Sequence, residues 1–153
     1  MLAVSLPWPL VNEEQGKAIL KITRDQLYTP VGLRSLPQSS PQYVHEYGGD
    51  AYRRDSSYHQ GTVWSWLLGP FADGLARFGN QIMTPQEVID NFAYHLNEGC
   101  IGSVSEIFDA DPPHHPRGCV AQAWGVGEIL RVMKAYGSTA TITQPQKEEL
   151  HPA

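Results

Sequence analysis

The sequence predicts an all-α domain, and three observations support this. Four segments carry apolar residues at helical spacing, two of them open with a capping-box pattern, and long connections rich in proline and glycine separate them. A length of 153 residues suits a single domain with one hydrophobic core. We expect this domain to span residues 1–137, followed by a flexible polar tail over residues 138–153.

The first predicted helix follows Asn12, because Asn12 and Gln15 have the spacing of a capping box. Pro30 limits how far this helix can run. A helical period then gives it a short apolar stripe, which we expect to be buried and which consists of Ala18, Ile19 and Ile22.

The second predicted helix begins near Thr62. Pro70 falls inside it and should kink it or shift its start, because proline cannot donate the hydrogen bond of a helix interior. The apolar face of this helix is long, and we expect it to enter the core through Trp64, Leu67, Leu68, Phe71, Leu75 and Phe78.

The third predicted helix begins at Thr84, with Glu87 completing a capping box and Pro85 in the first helical position. It ends at Gly99, and its expected core residues are Val88, Ile89, Phe92 and Leu96. The fourth helix runs from about residue 119 to residue 136. Its expected core face consists of Val120, Ala123, Trp124, Leu130 and Met133.

Composition and charge exclude several classes of protein. A formal net charge of -5 offers no basic patch for phosphate, so nucleic acid is not an expected partner. No run approaches the roughly 20 apolar residues of a membrane span, and the start "MLAVSLPWPL" lacks the basic residues of a signal peptide. The expected location is therefore the cytoplasm, without a membrane partner.

Metal and nucleophile chemistry have little support in the sequence. The adjacent His114 and His115 rarely ligate one ion together, and Cys100 and Cys119 form no CxxC unit. No G-x-S-x-G motif is present, and "GVGEIL" lies within a helical pattern instead of following a strand. We expect neither a metal nor a cofactor.

The connection "SVSEIFDADPPHHPRG" is the strongest candidate for chemistry, since loops of this length are usually functional. Glycoside hydrolysis needs two carboxyl groups across the scissile bond, and Glu106 lies between small and apolar neighbours that could form a pocket edge. The alternative is a structural carboxylate that caps a helix or pairs with Arg117.

A second candidate is "SSYHQGTVWSWLLGPF", where imidazole, amide and indole groups cluster near a helix start. Trp64 and Trp124 fit helix stripes, so each taken alone is more typical of core packing. Taken with His59, Gln60 and Gln122, they could instead line one small-ligand pocket of the kind that binds sugars.

Three stretches resemble a known family: "TPVGLRSL", "YHQGTVWSWLLGPF" and "GCIGSVSEIFDADPPHHPRGCVAQAWGVGEILR". They are similar to the C-terminal catalytic region of bacterial and archaeal glycogen debranching enzymes, the amylo-α-1,6-glucosidases, over roughly residues 3 to 136. The resemblance implies an α/α toroid of six helical hairpins, of which the four predicted helices would be the last four. It also implies glycogen or another branched α-glucan as the substrate.

The resemblance assigns roles to individual residues. It implies an inverting mechanism in which Glu106 is the general base. It places His59 and Gln60 at the end of a loop that reaches the bound glucose, with Trp64 at the pocket wall. It implies further substrate contacts or support of Glu106 by residues elsewhere in the chain, namely Gln122, Trp124, Arg34 and Arg117.

This chain departs from the family pattern in two places. Ser65 stands where the family usually has proline, and the family usually has a residue other than glycine at one or both of Gly125 and Gly127. Because each helix-interior glycine costs roughly 1 kcal/mol relative to alanine, we expect a weakened fourth helix.

The resemblance also implies a toroid whose first eight helices, including the loop with the general acid, lie outside this chain. We therefore expect no meaningful glucosidase turnover from the chain alone, and activity only with a polypeptide that supplies those helices. The alternative is a non-catalytic glycan-binding or self-associating module, because uncovered apolar stripes would favour a homo-oligomer.

Overall fold

The computed structural model describes residues 1–8, 10–79 and 81–138. Apart from Ser138, the predicted polar tail lies outside these described residues. Helices dominate the described part of the chain, and they are α1 (Leu2–Ser5), α2 (Glu13–Gln26), α3 (Ala51–Ser57), α4 (Leu68–Phe78), α5 (Pro85–Ala93) and α6 (Ala123–Tyr136). Two short 3-10 turns, Ser65–Leu67 and Tyr94–Asn97, precede α4 and follow α5.

A small antiparallel sheet joins the loops between the helices. Its strands lie in chain order across the sheet and are β1 (Tyr28–Thr29), β2 (Gly32–Arg34), β3 (Val63–Trp64), β4 (Ile107–Phe108) and β5 (Pro116–Arg117). The helical prediction is confirmed, but the all-α description must be corrected to include this sheet. Strands of two or three residues are too short for an apolar alternation to reveal them in the sequence. The toroid of hairpins stays a prediction.

The two capping boxes form as predicted. At the start of α2 the side chain of Asn12 accepts from the backbone N–H of Gln15 at 2.9 Å, and the Gln15 amide oxygen accepts from the backbone of Asn12 at 3.1 Å. At the start of α5, Thr84 and Glu87 make the same reciprocal pair. Local hydrogen bonding therefore sets both helix starts.

The predicted start of the second helix was wrong. Val63 and Trp64 belong to β3, a 3-10 turn follows, and α4 begins only at Leu68. Pro70 consequently lies in the first turn of α4, where a missing N–H removes no intrahelical bond. Leu68, Phe71 and Leu75 of the predicted face are buried.

The predicted core stripes of α2 and α6 were partly wrong. In α2, Leu20 is buried while Ala18 and Ile22 are exposed. In α6, which begins at residue 123 and not at residue 119, the buried residues are Gly125, Ile129 and Val132. Apolar residues occupy both faces of α6, so periodicity alone could not select the buried one. The exposed apolar side chains there and just before it are Val120, Trp124, Leu130 and Met133.

One apolar core connects the helices to the sheet. Helix α4 lies at its centre and packs against α1, α2, α5 and α6. Arg131 links α6 to α4 by donating to both carboxylate oxygens of Asp73, at 3.0 and 2.8 Å. The buried core also includes Val104, which precedes the site loop. None of the described helices is both long and apolar enough to cross a membrane.

Candidate functional site

Glu106 lies immediately before β4, beside β3 in the sheet. Its carboxylate accepts two hydrogen bonds, both from groups that carry no charge: the Tyr58 hydroxyl donates to Oε1, and the Cys119 backbone N–H donates to Oε2 at 2.9 Å. The Glu106 backbone N–H donates in turn to the Cys119 carbonyl at 3.0 Å. Both the main chain and the side chain of Glu106 are therefore held in place.

Gly118 makes the contact between Glu106 and Cys119 possible. Its φ of +66° lies in the left-handed region, which glycine adopts without a steric penalty. A Cβ at this position would lie 2.5 Å from the Oε2 atom of Glu106. The glycine thus turns the chain so that the next N–H points at the carboxylate, and it leaves room for that carboxylate.

The surroundings of Glu106 favour its ionised form. Partial burial by itself would raise the pKa of Glu106, but the hydrogen bonds from the Tyr58 hydroxyl and the Cys119 backbone outweigh it, and the pKa is lowered. Burial and the adjacent carboxylate together raise the pKa of the Tyr58 hydroxyl. At neutral pH the pair is therefore a carboxylate that accepts from a neutral phenol.

An aromatic wall, defined here as Tyr58, His59, Trp64, Trp66 and Trp124, adjoins this carboxylate. The ring of His59 stacks on Trp64 with a centroid distance of 5.4 Å and an interplanar angle of 5°. Trp64 meets Tyr58 edge-on at 4.7 Å, and its indole N–H donates to the Tyr58 carbonyl at 3.2 Å. Trp124 adjoins both Trp64, at 6.1 Å, and Trp66, at 5.6 Å.

The aromatic wall is open to solvent at one side. Trp64 is 7% exposed, whereas Trp124 is 50% exposed and His59 is also exposed. An indole with half of its surface accessible can stack against the apolar face of a ligand. The structure therefore brings together four of the predicted site residues: Glu106, His59, Trp64 and Trp124.

Gln60 and Gln122 adjoin this group through the backbone. The Gln60 carbonyl accepts from the Val44 N–H at 2.6 Å, which fixes the residue after His59. The Gln122 N–H donates to the Val104 carbonyl at 2.9 Å, directly before α6 and Trp124. Both side chains are partly exposed.

The two predicted arginines bind groups other than Glu106. The Nε atom of Arg34 donates to the Ala110 carbonyl at 2.8 Å. Arg117 makes a bidentate pair with Asp109, in which Nε donates to Oδ1 at 3.1 Å and Nη2 to Oδ2 at 2.9 Å, and Nη2 also reaches Glu46 at 3.2 Å. The hydrogen bond to Asp109 raises the pKa of Arg117. Both guanidinium groups thus fasten the loop that carries Glu106.

Sequence reasoning missed Tyr58 and Cys119 as partners of the carboxylate. Tyr58 directly precedes His59 and Gln60, but neither its residue type nor its spacing indicated a hydrogen bond to Glu106, 48 positions away. Cys119 acts through its backbone N–H, and backbone donors leave no signal in residue type. The available signal in the sequence was Gly118, the glycine directly before Cys119.

The site places an ionised carboxylate beside partly exposed aromatic side chains, and both kinds of group occur in the sites of glycoside hydrolases. Residues 1–131 match the family model described as amylo-alpha-1,6-glucosidase. The chain therefore belongs to this family of glycoside hydrolases related to glycogen debranching. The resemblance seen in the sequence motifs is confirmed.

Proposed function

We propose that this chain carries the general base of an inverting α-1,6-glucosidase that acts at the branch points of glycogen or a similar α-glucan. The observation that carries the proposal is the carboxylate of Glu106, ionised, bound only by neutral donors and adjoining the aromatic wall. Within the described part of the chain, no cationic side chain contributes to its pKa.

A carboxylate has about four lone-pair directions, and Tyr58 and Cys119 use two of them. The remaining directions can accept a proton from water. In the proposed step Glu106 removes a proton from that water as its oxygen forms a bond to the anomeric carbon on the face opposite the leaving oxygen. The C–O bond at the branch breaks, and a second carboxyl group protonates the leaving oxygen.

The second carboxyl group is the open part of this mechanism. Asp109 is buried and shares the Arg117 guanidinium with Glu46, whereas Asp111 accepts from the Tyr43 hydroxyl and the Gln38 amide. The hydrogen bond from Tyr43 lowers the pKa of Asp111, so it too is held as a carboxylate. A general acid must instead hold a proton near neutral pH, which a neighbouring cation disfavours. We propose that the acid comes from a polypeptide segment outside residues 1–138 and that this chain alone has little turnover.

Substrate contact is proposed for the open side of the aromatic wall. Trp124 and His59 offer exposed rings, and the partly exposed amides of Gln60 and Gln122 offer donors and acceptors for hydroxyl groups. We propose that Arg34 and Arg117 support the loop and do not touch the sugar, because they already bind Ala110 and Asp109.

The test combines binding with turnover. The pure chain is titrated calorimetrically with isomaltose, an α-1,6-linked disaccharide, and incubated with a branched maltosaccharide while free glucose is measured. We expect saturable binding that Trp124→Ala weakens, and little glucose. Glucose release that survives Glu106→Gln would overturn the assignment of the base. Release that Glu106→Gln abolishes would support the base but contradict the need for an outside acid.

A second candidate function is self-association, and the outer face of α6 favours it. Leu130 is 61% exposed and Met133 41%, and their spacing of three residues places them next to each other on the helix surface. Light scattering at micromolar concentration tests this. A dimer or larger species that Leu130→Lys dissociates would support it, whereas a clean monomer would contradict it.

A further inference from the structure

The backbone of Ser105 and Glu106 is held from behind by two buried polar side chains that the proposed reaction does not use. Ser65, in the 3-10 turn before α4, and His95, in the turn after α5, are both fully buried. They come from different parts of the core and both bond the main chain of Ser105, which Ser65 also approaches at the Glu106 carbonyl. Buried polar groups are costly unless they are bonded, so this convergence needs an explanation.

Ser65 supports the two carbonyl groups. Its hydroxyl donates to the Ser105 carbonyl at 2.9 Å and lies 3.3 Å from the Glu106 carbonyl. The space for this hydroxyl depends on α6, since a Cβ at Gly125 would lie 2.9 Å from the Ser65 Oγ atom. Gly125 and the Ser65 hydroxyl are therefore adjacent, and a larger residue at position 125 would displace this hydroxyl.

His95 supports the amide. Its Nε2 atom accepts from the Ser105 N–H at 3.2 Å, so the ring is deprotonated at Nε2 and carries its proton on Nδ1. Nδ1 lies 3.6 Å from the Glu98 carboxylate and has no closer partner in the described residues. Edge contacts with Phe92 and Phe108, at 5.5 and 4.6 Å, fix the ring plane.

We propose that Ser65 and His95 are positioning residues for Glu106. They hold the main chain at Ser105 and Glu106 in place, so that the Glu106 carboxylate stays within reach of Tyr58 and Cys119. The proposal rests on Glu106 being the base. Neither side chain touches the carboxylate, so each acts through the backbone. Loss of either support leaves Glu106 with weaker hydrogen bonds and a pKa closer to its ordinary value of 4.5.

The support from His95 depends on its protonation state. A protonated ring presents an N–H at Nε2, which would face the Ser105 N–H and break the bond. Burial lowers the pKa of His95 although Glu98 opposes this, and the residues that meet the ring from other elements, Phe92, Ser105 and Phe108, carry no charge. The neutral ring is therefore the working form at neutral pH.

The experiment follows three NMR signals in the full chain without any sugar: the carboxyl carbon of Glu106, the Cε1 atom of His95 and the amide of Ser105. In wild type, we expect the Ser105 amide to shift together with the titration of His95. In His95→Leu, we expect its hydrogen exchange to be about tenfold faster and the pKa of Glu106 to rise. His95→Gln keeps an acceptor oxygen and should restore both.

Ser65→Ala provides an independent arm, because it removes one oxygen and alters no titratable group. We expect it to raise the pKa of Glu106 in the same direction as His95→Leu. A Glu106 pKa that both variants leave unchanged, despite faster exchange at Ser105, would overturn the proposal and leave a purely structural role. If His95→Leu does not fold, the wild-type titration and the Ser65→Ala variant test the proposal without it. Because no sugar is used, failure here is distinct from failure of the glucosidase proposal.

Discussion

Glu106 and Asp109 lie three residues apart in one loop, yet the protein treats their carboxylates differently. Asp109 is 5% exposed, receives the guanidinium of Arg117 in a bidentate pair and also accepts from the Tyr47 N–H at 2.8 Å. Glu106 is half-buried and receives only a phenol and a backbone N–H. One carboxylate is neutralised by a cation, and the other is ionised but left available.

This difference supports the proposal that Asp109 has a structural role and Glu106 a chemical one. A buried carboxylate that is paired with arginine organises the backbone around it, and its lone pairs are already occupied. A carboxylate that is held by two neutral donors keeps its negative charge and has lone pairs left to accept a proton from water, although the same bonds lower its pKa. Both residues lie in the connection that the sequence favours for chemistry, and their partners distinguish them.

The largest expected effect comes from a matched isosteric pair, Asp109→Asn and Glu106→Gln. The amide NH2 at position 109 would face a guanidinium that can only donate, so we expect a loss of about 2 kcal/mol in the free energy of unfolding. At position 106 the Tyr58 hydroxyl can rotate to accept from the new NH2, so the loss should stay below about 1 kcal/mol. Urea unfolding measures both. Equal losses would contradict the comparison.

The next effect concerns Gly118. Gly118→Ala forces a residue with a side chain into the left-handed conformation and places its Cβ 2.5 Å from Glu106 Oε2. We therefore expect the free energy of unfolding to fall by about 2 kcal/mol. Gly127→Ala is the control, since a Cβ at that position in α6 would have nothing within 4 Å, and it should gain up to about 1 kcal/mol. Thermal unfolding of the two variants compares them. A Gly118→Ala protein as stable as wild type would show that this turn is not strained.

Tyr58→Phe should have a smaller effect on stability and a clear effect on the pKa of Glu106. It removes one hydrogen bond to Glu106, which costs about 1 kcal/mol, and the pKa of Glu106 should rise because its ionised form loses a donor. Tyr52→Phe, at a residue that is 82% exposed, is the control and should change neither quantity. Carboxyl 13C NMR measures the pKa, and an unchanged value in Tyr58→Phe would contradict the described pairing.

The smallest expected effect is a pH dependence. The pKa of His95 is lowered below its ordinary value of 6.5. As the pH falls below 6.5, the unfolded chain therefore binds a proton that the folded chain does not, and the free energy of unfolding decreases. Glu106 adds a second decline below pH 4.5, because its folded pKa is also lowered. Urea unfolding between pH 8 and 5 should show the first decline in wild type and a flatter curve in His95→Gln. Identical curves would contradict the role of His95.

The sequence predicted those features that depend on local chemistry. Both capping boxes could be predicted because they involve residues three apart, and the burial of Leu68, Phe71 and Leu75 in α4 could be predicted because these residues follow a helical period. The buried face of α6 could not, since Trp124 and Leu130 compete with Ile129 and Val132 in the apolar pattern. The strands could not be found either, because they consist of two or three residues whose pairing is set by distant loops.

The candidate site divides in the same way. Glu106, His59 and Trp64 were predicted from residue type and from the family resemblance, and the structure brings them together. Tyr58, Ser65 and His95 were not predicted as partners of this loop, because each reaches it across a gap in sequence that no local pattern encodes. Their roles come from tertiary contacts alone.

One measurement tests the central claim most directly: carboxyl 13C NMR of the full chain during a titration with isomaltose. The account predicts that the Glu106 carboxyl signal shifts and saturates while the Asp109 signal stays in place, because only Glu106 is available to a ligand beside the aromatic wall. A saturable shift of Asp109 with Glu106 unmoved would contradict it.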